Sequence, residues 1–147
     1  MTDSSPIVSD ERILDAMLLL ARAAKPHRIM VAGPSAFDIY LGLLQRGFSR
    51  AATPVTCRIA CGQHDVALIA GHQTIQALET LLDRIVPFLN TRAALAIWLG
   101  PHELERGRRF QAELERLGFR IEAPAQCETG FILSARRQQL DHLAKAA

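Results

Sequence analysis

The chain holds 147 residues, 49% hydrophobic and 22% charged, with 17 basic against 15 acidic side chains. That length suits one domain, and the balance excludes disordered and fibrous classes. A formal charge of +2 supplies no overall field to argue for nucleic acid or acidic partners, and no apolar run approaches the roughly 18 residues of a membrane span.

Ser9, Asp10 and Glu11 read as a helix start, with Ile13, Leu14, Met17, Leu18 and Ala21 at helical spacing. They predict an amphipathic helix from Asp10 to Ala24, stopped by Pro26. Arg28 to Gly33 is a short apolar run that suits a buried strand. The next helix opens after Gly33 and runs to about Arg46, with Gly47 at its C-cap and Ser35 and Asp38 spaced as a capping box. Ala51 to Ala60 is an extended candidate that Pro54 places at an edge or makes irregular. Asp65 to Gly71 is the clearest buried strand. Gln73 to Leu89 carries a helical stripe of Ile75, Leu78, Leu82, Ile85 and Leu89, with Pro87 distorting its last turn.

Ala93 to Gly100 is again strand-like, and Pro101 opens a helix that ends at Gly118. Phe119 to Glu122 and Phe131 to Ala135 predict two closing strands joined by a loop containing Pro124 and Gly130. Alternating strands and helices favour a parallel sheet covered on both sides, while the short last connection makes the final pair antiparallel. Residues 1–9 and about 138–147 are expected to be loose tails of a single domain.

This order of elements resembles the class I S-adenosylmethionine-dependent methyltransferases. Ile29-Met-Val-Ala-Gly33, then a helix ending in Gln45-Arg-Gly-Phe48, is similar to that family's first strand, loop and helix. His64-Asp65-Val-Ala-Leu-Ile-Ala70 looks like its fourth strand. Leu78 to Leu89 followed by Leu95-Ala-Ile-Trp-Leu99 resembles the next helix and strand, and Glu113 to Phe119 with Gly130 to Ser134 its closing helix and hairpin. The resemblance implies an α/β, three-layer Rossmann-like sheet, mostly parallel with a C-terminal antiparallel strand pair. The sheet should be shortened at one edge, because only about six residues separate the second strand from Asp65, where the family carries a helix, a strand and a helix.

The departures fall where the family binds its cofactor. Its loop has an acid before it and three glycines at alternate positions; Val31, Gly33, Ser35 and Phe37 stand there instead. Pro34 deletes an N–H donor, and Phe37 brings a ring to the place expected of the cofactor. Thr56, Cys57 and Arg58 supply no acid for ribose hydroxyls, and Ala70 occupies the acid position after the fourth strand. Gly33 with Ser35, Gly71 with His72, and Gly100 with His102 lie at the carboxyl ends of strands, where such sheets bind ligands. His72 and His102 are the proton carriers among them, although an exposed helix start explains either residue without chemistry.

Cys57, Cys61, His64 and Cys127 carry zinc-type donors, but the spacing and the strand reading of Cys57 argue for no metal. Three cysteines without a secretory leader read as reduced thiols in the cytoplasm. Fifteen of the 17 basic residues are arginine, a bias that guanidinium recognition of phosphate or carboxylate would explain, as would genomic base composition. The expectation is a degenerate methyltransferase-like protein with no cofactor, acting as a binding or assembly module. The alternative is an active methyltransferase with an atypical pocket and a small acceptor. The short length counts against that alternative. A homodimer is expected, since a shortened sheet leaves an edge to cover and dimers are the commonest oligomers; a protein partner is compatible, while nucleic acid and membrane are not expected.

Overall fold

The computed structural model describes residues 5–55, 57, 61–70, 74–100, 104–127 and 130–138. Helix α1 spans Ser5–Ala21, beginning before the Ser9 start expected from the sequence. Pro6 lies in its first turn, where a fixed φ favours the helix and a missing N–H costs nothing. The helix ends at Ala21 rather than at Ala24. Arg22 takes a left-handed φ of 55°, its N–H donates to the Leu19 carbonyl at 3.1 Å, and the Ala23 N–H reaches Leu18 at 3.0 Å. This is the Schellman stop, made here by an arginine in place of the usual glycine.

Strand β1, Ile29–Ala32, is buried at all four positions. Helix α2, Ala36–Gln45, closes with the same bond pattern around Gly47, which has a φ of 91°. Strand β2 is only Ala51–Ala52, not the longer Ala51 to Ala60 run. Pro54 cannot donate to a ladder, and Val55 beyond it is 89% exposed. The chain then returns to β3, His64–Ile69.

Thr74 caps α3, Ile75–Ile85, by accepting from the Ala77 N–H at 3.1 Å. As the sequence indicates, Pro87 tightens the exit, which is a 3-10 turn over Val86–Phe88. Strand β4, Leu89–Gly100, starts earlier than expected, and helix α4 covers Leu104–Arg116. Strands β5, Phe119–Cys127, and β6, Gly130–Arg137, are longer than expected; Pro124 sits within β5, opposite Leu133, and Gly130 begins β6. Both residues had been expected in a loop. An edge strand tolerates Pro124 because one row of its N–H groups has no ladder to serve.

The six strands run in the order β2-β1-β3-β4-β6-β5. The first four are parallel, and β6 is antiparallel to both β4 and β5. The sheet is therefore short at its β2 edge, as expected. Alternate side chains feed two cores. Met30, Ile69, Leu95 and Leu133 pack with Leu78, Leu82, Ile85 and Phe110 of α3 and α4. On the other face Ile29, Val31, Leu68 and Ala96 meet Leu14, Met17, Ile39 and Leu43 of α1 and α2. Asp65 fastens three strands at their amino ends, accepting from the Arg28 N–H and from Asn90 Nδ2, each at 2.9 Å. No helix among the described residues is long and apolar enough to cross a membrane.

Candidate functional site

At the carboxyl ends of β1 and β2 a cavity of about 420 Å³ opens between α2, the segment after β2, and α3. That volume lies within the range of small-molecule sites. Gly33, Phe37, Tyr40, Val55, Leu81 and Arg84 shape it. Phe37 projects outward, 67% exposed, along its wall. The ring neither enters the core nor seals the opening.

Gly33 has a φ of 103°, and a Cβ there would lie 2.3 Å from the Ala70 carbonyl oxygen. Glycine is required at this point because the end of β3 presses on the loop. The contact is stitched in both directions. Ser35 donates its N–H to the Ala70 carbonyl at 3.2 Å, and Ala70 donates to Ala32 at 3.3 Å. The Ala36 N–H turns back to Gly33 at 3.0 Å, and Pro34 has none to give. The capping box expected of Ser35 and Asp38 does not form, since Ser35 makes no side-chain cap bond. With φ −99° and ψ 18°, Ser35 sits in the bridge region, whereas a capping serine needs an extended backbone.

Of the five residues expected at the site, the structure brings Gly33 and Ser35 together at the β1 exit; Gly71, His72 and His102 lie outside the described residues. Tyr40, Leu81 and Arg84 escaped the sequence reading. Arg84 is the charged side chain of the cavity wall, and it makes no ion pair among the described residues. The Leu81 and Arg84 spacing marks the second face of α3, and the cavity lies against that face. No carboxylate appears among the described residues of the wall. The described lining offers hydrophobic contact, the Phe37 and Tyr40 rings and one positive charge.

The cysteine and histidine group resolves differently. His64 is buried, with Nδ1 donating to the Phe88 carbonyl at 3.3 Å and Nε2 3.9 Å from Cys57 Sγ. Cys61 is exposed, and Cys57 and Cys61 form no disulfide. No three potential ligands converge among the described residues. Burial pushes the His64 pKa below its ordinary value, with the bond to Phe88 opposing the shift. His64 is therefore a neutral core residue.

No protein-family model matches the sequence, and no curated protein matches it. Solved structures do. A SAM-dependent methyltransferase from Aquifex aeolicus aligns at TM-score 0.64 with 13% identity, over 92% of this chain and 99% of its own. The 1,6-didemethyltoxoflavin-N1-methyltransferase of Burkholderia thailandensis, with bound 1,6-didemethyltoxoflavin and S-adenosylhomocysteine, aligns at 0.61 with 16% identity, over 93% of this chain and 83% of its own. The chain has the class I methyltransferase fold. The magnesium protoporphyrin IX methyltransferase of Synechocystis PCC 6803, with bound SAM, shares this fold at 0.59 and 11% identity, over 89% and 81% of the two chains. Because 99% of the Aquifex chain is matched, size does not set this methyltransferase-fold chain apart. The expectation that short length counts against an enzyme loses its force, and the crevice must carry the argument.

Proposed function

We propose that this methyltransferase-fold protein has lost standard cofactor binding and serves as a binding or assembly module. The observation that carries the reading is the stitch between Ala70 and the Gly33–Ala36 loop. An amide already bonded within the protein has no N–H left for a ligand. S-adenosylmethionine also brings a sulfonium and an ammonium beside one carboxylate; Arg84, the described charge of the wall, attracts the carboxylate but repels the two cations. No acid among the described wall residues offsets that repulsion, which supports the reading.

The exposed apolar side chains Leu19, Leu41 and Leu44, at 79%, 40% and 42%, support association of the module with another surface. Titration calorimetry with S-adenosylmethionine tests the reading. No heat of binding is expected at millimolar cofactor. Micromolar binding would overturn it in favour of an active methyltransferase with an atypical pocket.

A further inference from the structure

The end of the sheet remote from the crevice holds two adjoining cavities, of about 460 and 450 Å³, which share Arg22 and Arg136 as walls. Arg92 lines the first, and Arg120 and Arg137 line the second. Two carboxylates accompany these five arginines, Asp65 and Glu122, and both are engaged. Asp65 holds Arg28 and Asn90, and Glu122 pairs with Arg136 at 3.3 Å. Arg137 is equally engaged, donating to the Leu89 carbonyl at 2.9 Å and lying 6.0 Å from the Phe119 ring centre.

Arg22 and Arg120 differ from these. Both are exposed, and neither has a side-chain partner among the described residues. Arg22 also stands at the helix stop with φ 55°, where the Schellman bonds are made by backbone alone. Glycine would serve them with less strain, so the fold does not call for an arginine side chain at Arg22. Its side chain instead borders both cavities.

We infer that this arginine groove binds an acidic polypeptide segment of a protein partner. The arginines are spread along two cavities, so a ligand with several separated negative charges fits them better than one compact anion. Carboxylates match the planar, two-pronged guanidinium donors. No phenylalanine, tyrosine or tryptophan is among the described residues lining either cavity, and such rings are the stacking platform of single-stranded nucleic acid. The inference is independent of the crevice, since the groove lies at the amino ends of β3 and β4. It also gives the arginine bias of the sequence a physical use.

The test is fluorescence anisotropy with a labelled poly-glutamate peptide long enough to span both cavities. Binding is expected at low ionic strength and should weaken as salt shortens the Debye length from about 30 Å to about 8 Å. The double variant R22G/R120Q should weaken it about tenfold. Arg22→Gly relieves the strained backbone, so a thermal melt should show the variant still folded. Arg108→Gln, on exposed α4, should leave peptide affinity unchanged. The inference is overturned by no peptide binding, or by equal affinity in R22G/R120Q. It is equally overturned if oligothymidylate of matched charge binds as tightly, or if inorganic phosphate displaces the peptide at millimolar concentration.

Discussion

Gly33 shows how one residue can be read correctly for an incomplete reason. Its place after an apolar run marks it as the first loop glycine, and glycine is indeed obligatory. What enforces it, however, is the Ala70 carbonyl from a strand distant in sequence, which no local pattern displays. The same carbonyl holds Ser35 in a conformation unable to cap, so the Ser35 and Asp38 spacing misleads. Gly33→Ala should cost at least about 2 kcal/mol, from a left-handed φ and a collision with backbone, measured by urea denaturation. His64 makes a second residue-level prediction. The unfolded histidine titrates near 6.5 and the folded one lower, so the unfolded state binds more protons as pH falls below about 6.5. Stability from this site is full above that pH and declines as pH drops toward the lowered folded value. Urea midpoints between pH 7.5 and 5 should fall in the wild type and fall less in His64→Gln.

At the level of elements, periodicity served best where one face meets the core. Ile75, Leu78, Leu82 and Ile85 predicted α3, and all four are buried. Its start was less legible, because Gln73 and Thr74 are both polar and only the bond to the Ala77 N–H identifies Thr74 as the cap. Thr74→Ala should therefore destabilise the protein by about 1 kcal/mol, seen as a lower melting temperature. Strand β4 hid its beginning because Asn90, Thr91 and Arg92 look like loop residues. Asn90 bonds to Asp65 and the Arg92 carbonyl accepts from Arg136, so tertiary partners hold a polar segment extended. Pro124 read as a loop marker for the same reason. Only the edge position of β5 makes it acceptable in a strand.

For the molecule as a whole, a charge of +2 conceals an uneven distribution. The carboxyl end of the parallel sheet presents an apolar crevice with Arg84, and the amino end presents the arginine groove. Overall composition could not show this, since guanidiniums distant in the chain meet only after α1, β5 and β6 pack. The truncated β2 edge and the exposed Leu19, Leu41 and Leu44 bear on assembly. Light scattering at high protein concentration should give twice the chain mass, and Leu41→Glu with Leu44→Glu should return it to the monomer; a monomer at all concentrations would remove self-association from the proposal.

The Ala70 stitch has a consequence for redesign as well. Building a glycine-rich, acid-preceded loop here would place a carboxylate at Val31, which is fully buried on the sheet face covered by α1 and α2. That step costs several kcal/mol before any ligand compensates. Replacing Phe37 by glycine would not free the Ser35 amide either. Freeing that amide takes a backbone shift after β3, not a change of loop side chains one at a time. The contact thus fixes the loop through the backbone, and side-chain changes on the crevice wall leave its shape in place.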